Sequence, residues 1–219
     1  MKVYVKIFVL NLLFLVIFLM SSAQRFAKEV ADMLMKERNS VAIDNPILFA
    51  GSSSFTNWKD VQDYFPGRPI LNRGFGGSTL KDQIRFADSI YFNIKPRQIV
   101  IYCGENDLAE SSHPRGMLVY KRFIHLYKLI RSHFPDLSIV YISMKPSPSR
   151  RHLFPAMLEA NRSIEDFLKQ QENVHFIDVF PLMLKKDGEP LLDIFLDDQL
   201  HMNSKGYEIW RKSISPILL

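Results

Sequence analysis

Cysteine is all but missing from this 219-residue sequence. The single one, Cys103, excludes an intramolecular disulfide framework and any cysteine-rich zinc site, so the fold stands on packing alone. Glycine is sparse too, with nine residues, and the aromatics are scattered along the whole chain. That excludes a low-complexity fibre and a disordered polymer. No block of five or six like charges occurs and the net charge is only +5; nucleic-acid binding therefore has no compositional support. Internal repeats and long linkers are absent as well. At about 100–200 residues per domain, the chain is expected to be one domain, or at most one with an appendage, and long enough to bury a real core.

The longest apolar run is at the start. Lys2 and Lys6 form a short basic opening, Ile7 to Met20 is apolar except for Asn11, and Ser21, Ser22 and Ala23 follow. A basic start, a short apolar run and small residues at −3 and −1 are the layout of a secretory signal peptide, with cleavage after Ala23. The alternative is an uncleaved anchor, but the run falls short of the roughly 20 residues a spanning helix needs. The expectation is a signal peptide over 1–23 and a mature domain over 24–219. The protein would be exported, periplasmic or extracellular, with no stable membrane anchor. No cysteine ends the run, which excludes a lipoprotein anchor.

Downstream, apolar runs alternate with helical stretches. Strands are expected at Ile47–Ala50, ended by Gly51, then at Ile70–Asn72, Gln98–Cys103, Ser138–Ser143 and Val174–Asp178. Helices are expected at Arg25–Arg38, Leu80–Phe92, Arg115–His133, Pro155–Gln171 and Ser204–Ser213. Strands apolar on both faces and separated by helix-length segments indicate a parallel sheet covered on two sides. Such folds bind ligands beyond the carboxyl ends of their strands, and four polar segments fall there.

The first is Gly51-Ser52-Ser53-Ser54-Phe55, a serine-rich turn from strand to helix. It lacks the second glycine of a G-x-S-x-G elbow, and alone it reads more readily as Ser53 or Ser54 capping a helix. The second, Asn72 to Leu80, contains Gly74, Gly76 and Gly77. It fits neither the dinucleotide fingerprint nor a phosphate P-loop, which leaves an anion-accepting loop open. The third, Gly104-Glu105-Asn106-Asp107, offers a side-chain amide to the same crevice, or else forms a plain Asn-Asp turn. The fourth runs from Leu196 to Tyr207. Asp198 and His201 are three residues apart, so the carboxylate can reach the imidazole Nδ1 and leave Nε2 as a base.

Taken in order along the chain, these four blocks resemble the SGNH hydrolase family, also called GDSL-type esterases and lipases. The matching positions are Ser53, Gly77, Asn106 and the Asp198/His201 pair, and the resemblance extends from about Ile47 to Tyr207. Two positions depart from the family pattern: Ser52 and Ser78 stand where the family usually has aspartate. The resemblance implies a three-layer α/β/α sandwich of flavodoxin-like form with a central parallel five-stranded sheet. It implies a carboxylic ester hydrolase with Ser53, Asp198 and His201 as catalytic residues. Ser53, Gly77 and Asn106 would form the oxyanion hole, and no metal or other cofactor would be required.

The expected substrate is a small-molecule or polysaccharide ester with a short-chain or O-acetyl group. A lysophospholipase of the same family and a non-catalytic glycan-binding relative are the alternatives, followed by a membrane-anchored interaction protein. Arg150, in the segment Lys145 to His152 after the fourth strand, is a candidate for substrate binding. His113, His125, His133, His152 and His175 lack a carboxylate at matching spacing. Asp187, Asp193 and Asp197 lack metal-ligand spacing, and Cys103 reads as a small buried hydrophobe.

Overall fold

The computed structural model describes residues 25–219, and the expected signal segment lies outside the described residues. The chain divides into two compact units, one ending at Ala42 and one spanning Ile43–Leu219. Within the first, helix α1 (Ala27–Arg38) occupies nearly the stretch that the apolar periodicity predicts. Among the described residues no helix is long and apolar enough to cross a membrane.

The second unit opens with β1 (Ile47–Gly51), the short helices α2 (Ser53–Thr56) and α3 (Val61–Tyr64), and β2 (Ile70–Gly74). Next come α4 (Leu80–Arg85), a π-helical turn at Asp88–Phe92, β3 (Gln98–Tyr102), α5 (Glu105–Ala109) and the long α6 (Gly116–His133). Then follow β4 (Ser138–Ile142), a 3₁₀ segment at Pro148–Leu153, α7 (Phe154–Leu168) and β5 (Val174–Ile177). Two further 3₁₀ turns, at Pro181–Met183 and Leu192–Ile194, lead to α8 (Ser204–Ile214).

All five strands are parallel, in the order β2-β1-β3-β4-β5. The α/β/α sandwich with a five-stranded parallel sheet is therefore the fold observed. Every residue of β1 and β3 is buried, as expected of central strands covered on both faces.

Strand alternation divides the core. Ile47, Phe49, Val100, Tyr102, Val140 and Ile142 face one side, where they join Phe55, Trp58, Val61, Tyr207, Trp210 and Ile214 from α2, α3, α8 and the turns beside them. The rings interlock: Trp58 stacks on Tyr207 with centroids 4.7 Å apart, and Trp210 meets Tyr102 at 4.6 Å. Each such aromatic pair adds about 0.5–1.5 kcal/mol beyond the area it buries. On the other side, Tyr141 of β4 packs against Phe123 of α6 at 4.6 Å, and α6 lies along α7.

The chain runs from β1 outward to β2, then returns past β1 to β3. Loops leaving β1 and β3 therefore part in opposite directions, and a crevice opens between their carboxyl ends. Gly51 ends β1 beside Tyr102 of β3. A Cβ there would lie 2.0 Å from the Tyr102 carbonyl oxygen, so glycine is what lets the two strands close up beneath the crevice.

Candidate active site

Ser53 begins at this strand end. The Ser52 N–H still donates to the Tyr102 carbonyl at 3.1 Å, which continues the pairing one residue past β1. The chain then turns into α2, with Ser52 as its N-cap and Ser53 as its first helical residue. The capping role that the sequence left open for Ser53 or Ser54 thus falls to the backbone at Ser52, whose side chain makes no cap bond. Ser53 Oγ remains available and lies 3.0 Å from His201 Nε2. Ser53 N–H sits in the first turn of its helix, where no intrahelical acceptor exists.

His201 and Asp198 lie on one tight turn. Gln199 between them adopts a left-handed φ of 55°, which folds the turn sharply enough for both ends of the Asp198 carboxylate to be used. Oδ1 accepts the backbone N–H of Leu200 and of His201, each at 2.9 Å. Oδ2 lies 2.5 Å from His201 Nδ1. A carboxylate on Nδ1 fixes the tautomer in which Nε2 faces Ser53 as an acceptor.

Residues beyond the turn hold it in place. Asn203 caps α8 by accepting Lys205 N–H at 2.9 Å, and its amide donates back to the carbonyls of Asp193 and Phe195. Tyr207 Oη donates to the Ser54 carbonyl at 2.9 Å, which ties α8 to the serine turn 153 residues away in sequence.

Burial pushes the Asp198 carboxyl upward, but the His201 backbone N–H, the His201 imidazole and the Leu200 N–H outweigh it and bring the pKa down to about 2. The depressed value means that any stability Asp198 adds is present above its unfolded value near 4 and is lost as pH falls through about 2. Asp198 accordingly stays ionised throughout the neutral range. We expect the pH profile of kcat/KM to show no break belonging to Asp198 above pH 4. Asp198→Asn should lower kcat by about 10³–10⁴-fold by leaving the wrong tautomer. A break near pH 4 that vanished in Asp198→Asn would contradict this.

The glycine-rich loop passes on the β2 side of the crevice. Gly77 takes a left-handed φ of 74°, and Ser78 behind it is fully buried. Ser78 Oγ donates to the Gly51 carbonyl at 3.3 Å and accepts from Gln83 Nε2 at 3.0 Å. Serine at this position thus ties the glycine loop to the end of β1. Thr79 caps α4 in a reciprocal capping box with Asp82, a stabilising arrangement that directs the loop.

Across the crevice, Gly104-Glu105-Asn106-Asp107 is not an Asn-Asp turn. Glu105 to Asp107 form the first turn of α5. Gly104 has a φ of 135°, and a Cβ there would crowd Val119 and Met144. Asn106 is nearly buried; its Nδ2 donates to the Ser78 carbonyl at 3.0 Å. Asp107 accepts Leu80 N–H at 2.9 Å and Arg122 at 2.6 Å, joining α5 to the start of α4 and to α6.

Glu105 is buried and accepts Lys145 Nζ at 2.8 Å and Tyr102 Oη at 2.6 Å through one oxygen. Burial drives the Glu105 carboxyl upward. The Lys145 ammonium, the Arg150 guanidinium and the Tyr102 hydroxyl overcome that and hold it below the ordinary carboxylate value.

Ser53, Gly77, Asn106, Asp198 and His201 are all at the carboxyl ends of the strands, in the loops that the sequence marked. Arg150 is there too, with Nη2 2.8 Å from Asn106 Oδ1. Glu105, Asp107 and Lys145 were missed as positioning groups. The one signal for them was charge directly after an apolar strand, where no charge is expected without a partner. His133 stacks on Phe92 at 3.7 Å, outside the site, and Cys103 is buried with its thiol on the Ser78 carbonyl at 3.5 Å. Among the described residues no group of three or more His, Cys, Asp or Glu side chains is arranged to hold a metal ion.

A model of the GDSL-like lipase/acylhydrolase family matches residues 41–209. Platelet-activating factor acetylhydrolase IB subunit alpha2 of Rattus norvegicus is 25% identical over 194 residues, which span 80% of this chain and 79% of that protein. Among solved structures, a GDSL-like lipase from Bacteroides thetaiotaomicron superposes with a TM-score of 0.70 at 21% identity, covering 89% of this chain and 95% of that one. A family 3 carbohydrate esterase of Clostridium thermocellum superposes with a TM-score of 0.59 at 15% identity, covering 78% and 96%.

Proposed function

Since the chain belongs to the GDSL-like lipase/acylhydrolase family and is a carboxylic ester hydrolase, we propose that it cleaves short-chain or O-acetyl esters with Ser53 as nucleophile. The observation that carries this reading is the unbroken path of hydrogen bonds from Asp198 through His201 to Ser53 Oγ, at 2.5 and 3.0 Å.

The steps follow from that path. Ser53 Oγ attacks the ester carbonyl carbon as His201 Nε2 takes the hydroxyl proton, and Asp198 stabilises the imidazolium. The tetrahedral oxyanion is met by the Ser53 and Gly77 N–H groups and by Asn106 Nδ2. His201 then gives its proton to the departing alcohol, leaving an acyl group on Ser53. A water deprotonated by His201 releases that acyl group as the acid and restores Ser53.

The relative whose name specifies an acetylhydrolase supports a short acyl group. The amino-terminal pattern supports export, with Met1 to Ala23 removed. Mass spectrometry of the exported protein should find a new amino terminus at Gln24; an intact Met1 on exported protein would overturn the cleavage.

A glycan-binding role on the same scaffold would need none of the Ser53–His201 contact. The two are separated by treating purified Gln24–Leu219 with a fluorophosphonate. We expect one covalent adduct, on the peptide containing Ser53, together with hydrolysis of p-nitrophenyl acetate. A folded protein giving neither adduct nor hydrolysis would favour binding alone. Asn106→Ala should lower kcat by about 10²–10³-fold with little change in KM, the usual result of losing one oxyanion donor. A raised KM at unchanged kcat would remove Asn106 from that role.

A further inference from the structure

We propose that Arg150 is a positioning residue, which fixes the Asn106 side-chain amide so that one Nδ2 hydrogen points at the substrate oxyanion. This rests on the esterase reading above and extends it. A side-chain amide has one strong acceptor and two donors, and turned over by 180° it would present its oxygen to the developing negative charge. Such a flip would replace attraction by repulsion at the reacting atom.

Two contacts oppose the flip. Arg150 Nη2 donates to Asn106 Oδ1 at 2.8 Å, and Asn106 Nδ2 donates to the Ser78 carbonyl at 3.0 Å. In the flipped state the guanidinium would face the amide nitrogen and the Ser78 carbonyl would face the amide oxygen, so both contacts become repulsive. With Oδ1 taken by Arg150 and one hydrogen taken by Ser78, a single Nδ2 hydrogen is left for the crevice. A cation on Oδ1 also draws electron density from the nitrogen and strengthens the remaining donor.

Arg150 is itself held. The 3₁₀ segment carrying it is bonded to the triad turn, since Ser149 N–H donates to the Gln199 carbonyl at 3.0 Å. Beneath it lies Glu105. One carboxylate oxygen of Glu105 takes Lys145 and Tyr102, while the other, Oε1, is buried without a hydrogen-bond partner. The Arg150 guanidinium in turn helps to hold the Glu105 carboxyl below its ordinary value. No carboxylate within ion-pairing distance diverts the guanidinium from Asn106 among the described residues.

The test uses Gln24–Leu219 as wild type, Arg150→Met, Asn106→Ala and the double variant. Methionine keeps much of the aliphatic stem, and Arg150→Lys serves as a second variant should Arg150→Met fold poorly. With p-nitrophenyl acetate, Arg150→Met should lower kcat by roughly 10–100-fold, part of the value of a whole oxyanion donor. KM should stay within a few-fold. In the Asn106→Ala background the same substitution should change kcat by less than about two-fold, because the group it positions is gone. The ¹H–¹⁵N pair of the Asn106 side chain, identified by its loss in Asn106→Ala, should shift on Arg150→Met.

A full kcat loss that persists in the Asn106→Ala background would overturn the proposal. So would a raised KM confined to anionic esters at unchanged kcat, which would make Arg150 a substrate-binding group. An unmoved Asn106 resonance would overturn it even in a protein that hydrolyses no ester. If wild type and Ser53→Ala alike gave no turnover while that resonance still moved, the esterase reading would fall and the positioning of Asn106 would stand.

Discussion

Ser53→Ala is expected to lower kcat on p-nitrophenyl acetate by about 10⁵–10⁶-fold, since it removes the proposed nucleophile. The expected residue of activity, about 10³-fold above water, comes from binding and the oxyanion donors. KM should change little, and the melting temperature should hold. Ser53 is only half-buried and its hydroxyl bonds to His201 rather than to the core. His201→Ala should cost about as much as Ser53→Ala, and the two together hardly more, because groups acting as one unit are non-additive.

Ser54 offers the control. It is buried beside Ser53, yet its carbonyl is what holds Tyr207, and that contact survives Ser54→Ala. Ser54→Ala should therefore retain most of the activity. If Ser54→Ala abolished turnover and Ser53→Ala did not, the nucleophile would be misassigned by one residue.

The second large effect concerns stability. Lys145→Met should destabilise the fold by about 3–5 kcal/mol, because it strands the buried Glu105 carboxylate without its cation. At roughly 2–4 °C per kcal/mol for a domain of this size, the melting temperature should fall by about 6–20 °C. The penalty comes from the charge left behind rather than from the value of the pair. Glu105→Gln combined with Lys145→Met should therefore recover much of the loss.

Acid should narrow the gap between wild type and Lys145→Met. Burial pushes the Glu105 carboxyl up and Lys145 is the main group holding it below its ordinary value. In Lys145→Met the carboxyl therefore takes up a proton first as pH falls and sheds its buried charge, while in wild type it stays ionised to lower pH. Calorimetry of the three proteins at pH 7 and pH 4 makes the check. Equal melting temperatures for wild type and Lys145→Met at pH 7 would mean that Glu105 is not dependent on Lys145. The outcome also bears on Asn106, because Glu105 precedes it in the same helical turn.

Much of the fold could be read from residue order because the physical signals are local. A strand buried on both faces must be apolar throughout, and Gln98–Tyr102 and Ser138–Ile142 are nearly so. The periodicity of α6 and α7 is long enough to repeat several times, and their ends fall within a few residues of expectation. The short helices α2, α3 and α5 were not seen. A four- or five-residue helix has barely one turn, so no periodicity can accumulate, and the tertiary contacts around Ser53 and Asn106 decide its form.

The four polar blocks show the same division. Their order along the chain and the types of residue in them marked Ser53, Gly77, Asn106, Asp198 and His201 as candidates. Asp198 and His201 are near neighbours in sequence, so their pairing could be argued from spacing. The contact between His201 and Ser53 spans 148 positions and depends on α8 packing against the serine turn, with Tyr207 on the Ser54 carbonyl and Trp210 against Phe55.

Arg150 marks the boundary most clearly. The sequence placed it in a loop after the fourth strand and suggested substrate contact. Only the tertiary structure set its guanidinium on the Asn106 amide, with Glu105 and Lys145 beneath. By itself the sequence determined which chemical groups the protein carries and the layered fold that presents them, because both follow from composition and local pattern. Which groups touch, and how each is turned, was decided by packing between segments far apart in the chain, because hydrogen bonds and buried charges are satisfied in space rather than along the sequence.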